Sequence, residues 1–146
     1  MSDASPARVS LEIRAEIEDL MSEFSHRVDN GLGATIHELF VEDGTIATPA
    51  FRLENQEEIR ARFTARGADP NRKTRHYWTN LRLTRHGDAI HAVSNVVTAV
   101  SVTGQPSQLM GGSSEDVLVK TPNGWAFKDR SLEIVFDGFL TPAVKA

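Results

Sequence analysis

Arg75-His76-Tyr77-Trp78-Thr79-Asn80-Leu81-Arg82-Leu83 reads as the middle of a long β-strand. A polar loop over residues 68–73 precedes it and the turn His86-Gly87-Asp88 follows it, so the run is bounded by turn chemistry on both sides. Downstream come three more long strand-like segments, 89–102, 107–120 and 125–137. They are separated by Thr103-Gly104-Gln105-Pro106 and Thr121-Pro122-Asn123-Gly124, which carry the Gly, Asn and Pro that hairpins require. The predicted strand 74–85 therefore opens an antiparallel meander. Strict alternation puts His76, Trp78 and Asn80 on one face and Tyr77, Leu81 and Leu83 on the other, and leaves open which face is concave.

Upstream the period changes. Ile13, Ile17, Leu20, Met21, Phe24 and Val28 recur at helical spacing from Leu11, with Arg14, Glu16, Glu18, Asp19 and Glu23 opposite, Ser10 placed to cap and Asn30-Gly31 as the stop. A short second helix is expected over 32–40, ending before Glu42-Asp43-Gly44. Strands follow at 45–48 and 51–53. Asn55 opens a third helix with Glu58 three residues on, Ile59 and Phe63 as its apolar stripe and Gly67 at its end. Helices followed by long hairpins define an α+β fold, with three N-terminal helices packed on a strongly curved, mostly antiparallel sheet that encloses a pocket. The apolar parity changes between Trp125/Phe127 and Leu132/Ile134/Phe136, which predicts a bulge near 129–131. Gly111-Gly112 in mid-strand predicts a bend or a close approach by a ligand. One domain over 11–140 is expected, with tails at 1–10 and 141–146.

Composition narrows the function. The 146 residues are 40% hydrophobic, enough for one core. The net charge of −4 with interspersed signs argues against a nucleic-acid surface, and the densest basic cluster, Arg72, Lys73 and Arg75, reads as a solvated loop. There is no cysteine, hence no thiolate chemistry, and a cytoplasmic location is expected. No segment approaches the roughly 20 apolar residues of a bilayer span. Nucleotide and phosphate-loop fingerprints are missing, and His86 and His91 lack a third ligand, so neither cofactor nor metal is expected; His26 and His37 read as surface helix residues.

The residues that attract attention are His76 and Asp29. A carboxylate that holds an imidazole fixes its tautomer and allows proton transfer without metal or cofactor. At about 100° per residue, Met21, Ser25 and Asp29 form a ridge flanking the core stripe, an edge position from which Asp29 faces either a pocket or water. A lone strand histidine is more often a satisfied structural residue.

Three motifs in this order, His76-Tyr77-x-Thr79-Asn80-Leu81-Arg82-Leu83, Leu109-Met110-Gly111-Gly112 and Gly124-Trp125-x-Phe127 followed by Arg130, resemble the SnoaL-like branch of the nuclear-transport-factor-2-like superfamily. The likeness runs from Glu12 to Phe136, closest to hexachlorocyclohexane dehydrochlorinase and more distantly to scytalone dehydratase. It implies a cone-shaped α+β barrel, a general-base histidine at His76, an orienting aspartate at Asp29 and an assisting arginine at Arg130. Phe24 stands where the dehydrochlorinase has a lysine, and the only tyrosine is Tyr77, so scaffold transfers better than substrate. Arg130 is placed either to bind an oxyanion or leaving group or to pair with a nearby acid such as Asp129 or Glu133.

Alternation combined with the resemblance predicts pocket walls at Phe24, Ser25, Trp78, Val96, Thr98, Met110, Gly112, Ile134 and Phe136, although for the last two a place in the buried core is the better reading of the residue type. A small hydrophobic ligand is expected, and a homo-oligomer, dimer or trimer, is implied by the resemblance. The expected activity is a cofactor-independent lyase of dehydratase type, or an isomerase. The alternative is a non-catalytic small-molecule binder or assembly protein on the same scaffold, with Trp78 plugging the hollow.

Overall fold

A computed structural model describes residues 8–140. Helix α1 spans Leu11–Asp29, and Ser10 caps it by accepting from the Ile13 N–H at 3.2 Å. Val9 packs against the core, and residues 1–7 and 141–146, most of the expected N-terminal tail and all of the C-terminal one, lie outside the described residues. The second helical segment, Gly33–Leu39, is a 3-10 helix. Gly33 is needed there because a Cβ would lie 2.0 Å from the carbonyl oxygen of Phe63. Helix α2 spans Gln56–Gly67, capped by Asn55, whose side chain accepts from the Glu58 N–H at 2.9 Å.

The strands are β1 (Phe40–Ala47), β2 (Arg52–Leu53), β3 (Arg72–His86), β4 (Ala89–Val102), β5 (Gln108–Thr121) and β6 (Gly124–Phe139). They form one six-stranded sheet in the order β2-β1-β6-β5-β4-β3, antiparallel throughout except where β1 runs parallel to β6. The sheet does not close: β2 and β3 remain its edges, so the cone is open rather than a true barrel. Strand β1 begins five residues earlier than expected. Glu42-Asp43-Gly44 reads as a turn but is absorbed into a strand whose register with β6 slips between Phe40 and Thr45.

The α1 stripe of Ile17, Leu20, Met21, Phe24 and Val28 is buried, as the helical period requires. Phe24 is the hub of an aromatic cluster, edge-on to Phe40, Phe63 and Phe127 at centroid distances of 6.2, 6.0 and 5.8 Å. These four rings join α1, β1, α2 and β6 at the closed end of the cone.

Two bulges correct the expected faces. In β3 the register with β4 shifts between Thr79 and Arg82, and Asn80 takes a positive φ of 56°. The extra residue swaps parity, so His76 and Trp78 before it and Leu81 and Leu83 after it all face inward, while Tyr77 is 62% exposed on the outer face. In β6 the shift between Gly111 and Gly112 of β5 pairs Gly112 with Ile134 and Gly111 with Phe136, leaving Val135 as the extra residue. Ile134 thus faces inward and Phe136 outward. The other β6 irregularity falls opposite Val117/Leu118, leaving Lys128 as the extra residue, just before the 129–131 segment where it was expected.

Gly112 lies where the backbone of β6 crosses most closely, since a Cβ there would be 1.7 Å from the Glu133 carbonyl oxygen. The close approach is made by the protein's own chain. Gly112→Ala is expected to lower unfolding free energy by about 1–3 kcal/mol in urea denaturation, the usual cost of overpacking; a change below about 0.5 kcal/mol contradicts this packing.

Candidate functional site

The inner face of the sheet is built in rows fixed by strand register. His76 pairs with Thr98, Thr98 with Met110 and Met110 with Asp137; the next row is Trp78, Val96, Gly112 and Ile134. Helix α1 lies across these rows with Phe24 and Ser25 toward them, and together they bound a cavity of about 700 Å³. That is ample for a small organic ligand. Of the expected wall residues, Phe24, Ser25, Trp78, Val96, Thr98, Met110, Gly112 and Ile134 line it. Phe136 does not: it is half-exposed on the outer face, its ring over Gly111, because the extra residue at Val135 reverses its parity. Trp78 forms wall and does not fill the hollow.

His76 and Asp29, 47 residues apart, meet at the side of this cavity. The His76 Nδ1 lies 2.6 Å from Asp29 Oδ1, the backbone N–H of His76 donates to Asp29 Oδ2 at 2.8 Å, and the Thr74 hydroxyl donates to Oδ1 at 2.8 Å. Their side chains are 15% and 8% exposed. Burial pushes the Asp29 carboxyl up, but the hydrogen bonds from the His76 ring and backbone and from Thr74 outweigh it and hold the group below its ordinary value. An anionic Asp29 can only accept, so the neutral tautomer that suits this contact carries its proton on Nδ1 and its lone pair on Nε2. Asp29 is thus neither a solvated helix terminus nor a surface charge.

Arg130 reaches the same cavity from β6 and is buried. Its partner is Asp116 on β5, with Nε 3.6 Å from Oδ1, in place of the expected Asp129 or Glu133; Asp129 instead accepts from the Thr45 hydroxyl at 2.8 Å. At 3.6 Å the ions attract without a hydrogen bond, and Arg130 Nε and Nη1 have no protein partner among the described residues. Burial pushes the Asp116 carboxyl up, against the pull of Arg130 and the Ser114 hydroxyl. The guanidinium carbon sits 4.2 Å above the Phe24 ring and 4.8 Å from that of Phe127, so the phenylalanine on α1 and the one on β6 both pack against this arginine.

Sequence reasoning missed one wall of the cavity. The turn 48–51 and the arginines Arg62, Arg66 and Arg72 also line it. Arg72 was expected in a solvated loop; it belongs to β3, faces in, and its Nε is buried without a hydrogen bond. The available signal was on α2, where Arg66 has an arginine four residues before it and a proline four after, and hence no acid at i±4. His86 and His91 stack at 4.2 Å, but no group of three metal-binding side chains exists among the described residues.

The SnoaL-like domain family matches residues 9–131. The chain belongs to that family. Its fold recurs in a provisionally assigned scytalone dehydratase from Novosphingobium aromaticivorans, at 24% identity over 93% of this chain and 95% of that one, TM-score 0.79. LinA is similar at 21% identity, 93% and 95% coverage and TM-score 0.80, and ActVI-ORFA from Streptomyces coelicolor at 21%, 85% and 98%, TM-score 0.69. At these identities the likeness shows the fold. No curated protein matches the chain. No helix among the described residues is long and apolar enough to cross a membrane.

Because the folded Asp29 carboxyl is held below its unfolded value, its linked stability is fully present above about pH 4 and is lost as pH falls through the lowered folded value. Denaturant titrations of wild type and Asp29→Asn at pH 7, 4 and 2.5 are expected to show a gap that narrows with acidity; a gap independent of pH removes this ionic contribution.

Proposed function

We propose that this SnoaL-like protein is a cofactor-independent lyase of dehydratase type, or an isomerase, acting on a small, largely apolar molecule through proton transfer by His76. The observation that carries this is the 2.6 Å bond from His76 Nδ1 to a buried, anionic Asp29 at the edge of a mostly apolar 700 Å³ cavity. Asp29 stabilises the imidazolium that forms when Nε2 takes a proton from carbon, and fixes the ring that presents Nε2. In an elimination the C–H electrons become the new double bond as the C–O bond to the leaving hydroxyl breaks. The imidazolium then returns its proton to that oxygen, so water leaves and the base is regenerated. Arg130, buried with unpartnered N–H donors, supplies positive field toward charge that develops during transfer. The similarity to dehydratase and dehydrochlorinase structures supports this class of chemistry.

Phe24 at the lysine position of the dehydrochlorinase argues against chloride loss and favours a hydroxyl leaving group. One observation favours the alternative of a non-catalytic binder: the Arg130 charge is already shared with Asp116 and covered by two phenylalanine rings. Turnover decides between them. On any hydroxylated or ketonic ring substrate found by screening, His76→Ala and Asp29→Asn are expected to lower kcat by about 10² or more; activity within about threefold of wild type in both removes the pair from the chemistry.

We also propose a homo-oligomer, joined through the outer sheet face. Tyr77, Val97, Gly111 and Phe136 lie in one row across β3 to β6, and the two aromatics are 62% and 50% exposed. Light scattering on the eluted protein should give two or three times 16.1 kDa, falling in Phe136→Glu; a monomer at every concentration contradicts it.

A further inference from the structure

One end of the cavity is cationic for reasons that the proton-transfer pair does not explain. Arg62 and Arg66 occupy successive turns of α2, and Arg72 opens the neighbouring β3. All three line the cavity, and none has a carboxylate within ion-pair distance among the described residues. Arg62 stacks on the Phe51 ring at 4.3 Å, which sets it at the rim. Arg66 and Arg72 are only partly exposed, and the Arg72 Nε is fully covered without an acceptor. Asp29 is the negative charge that acts on Arg66, yet its oxygens are already occupied by His76 and Thr74.

Burial and the neighbouring guanidinium groups push Arg66 down to about 10, against the pull of Asp29. A buried guanidinium without an acceptor is costly in the empty protein, and an incoming oxyanion removes that cost. A helix C-terminus does favour positive charge, which accounts for an arginine near residue 67 in general terms. It does not account for the inward-facing Arg72, which lies on a different element.

The opposite side of the cavity has the other sign. Asp137, three strands away from His76 along the same row, lines the cavity and accepts from Gln108 at 2.5 Å. Asp137 and Glu133 repel an anion from the far part of β6, and Arg130, the one cation that β6 brings to the cavity, already faces Asp116, so the positive charge without a facing carboxylate lies on the α2 and β3 side. Between the two ends the walls are apolar: Phe24, Trp78, Val96, Met110 and Ile134.

We infer that the ligand of this cavity is a small organic monocarboxylic acid, with an apolar ring or chain in the hollow and its carboxylate received by Arg66 and Arg72. The inference rests on reading the cavity as the substrate site and narrows the substrate class. The two arginines act as binding residues, and Arg72 shares the inner face of β3 with His76, four residues further along the strand.

The test compares acids with amides of identical shape. Benzoate, cinnamate and 1-naphthoate are titrated by calorimetry at pH 7 and low salt beside benzamide, cinnamamide and 1-naphthamide. At least one acid is expected to bind tenfold or more tightly than its amide. Arg66→Gln and Arg72→Gln are each expected to erase most of that preference while leaving the amide within about twofold. Arg66→Lys, which keeps the charge if glutamine compromises folding, is expected to keep at least part of it. Arg82→Gln, exposed and outside the cavity, is expected to change nothing. No acid bound above its amide, or a preference that survives both glutamine variants, overturns the inference. Acid binding without turnover sinks the catalytic proposal alone; His76-dependent turnover of neutral compounds with no preference for acids sinks this one alone.

Discussion

A single carboxylate ties the end of α1 to the edge of the sheet. Asp29 takes hydrogen bonds from the His76 backbone, the His76 ring and the Thr74 hydroxyl, and its own backbone carbonyl accepts from Arg75 at 3.2 Å. Strand β3 is an edge strand, with one side of its backbone unpaired, and this set of bonds, with that from Arg14 of α1 to the Leu81 carbonyl, anchors it against the helix. The same bonds orient the imidazole, so the structural tether and the geometry of the proposed proton transfer are one feature. Removing the carboxylate is therefore a structural and a chemical perturbation together, which is why the isosteric asparagine is the informative variant.

The remainder of the site follows from how a curved sheet and a helix share their inner surface. Four phenylalanines pack against one another at one end, and the cavity opens beside them along the rows that hold His76, Thr98 and Met110 and Trp78, Val96, Gly112 and Ile134. Phe24 belongs to both regions. It packs in the aromatic cluster and supports the Arg130 guanidinium, so the residue that departs from the dehydrochlorinase pattern has a definite structural part of its own.

Periodicity made α1, α2 and the four long strands readable within a few residues, because their apolar positions repeat at 3.6 or 2 over many residues. Pairing of Asp29 with His76 was readable only through resemblance, since nothing local links positions 47 residues apart. Parity failed where a single extra residue intervened. Asn80 and Val135 each shift the register by one, which turned Leu81 and Leu83 inward and Phe136 outward against strict alternation. The cationic wall was hidden for another reason: α2 has only two buried residues, Ile59 and Phe63, so its arginines read as an ordinary solvated face. The close crossing of Gly33 over the Phe63 backbone, at the start of the 3-10 segment Gly33–Leu39, is a tertiary constraint without local signal.

The central claim is that Asp29 holds the His76 proton on Nδ1 and leaves Nε2 free to act as base. Nitrogen-15 NMR of the His76 imidazole, at a pH where the ring is neutral, tests this directly through the distinct shifts of its protonated and unprotonated nitrogens. The account predicts a ring protonated at Nδ1 in the wild type, with that preference weakened in Asp29→Asn. A ring protonated at Nε2, with the same pattern in both proteins, contradicts it.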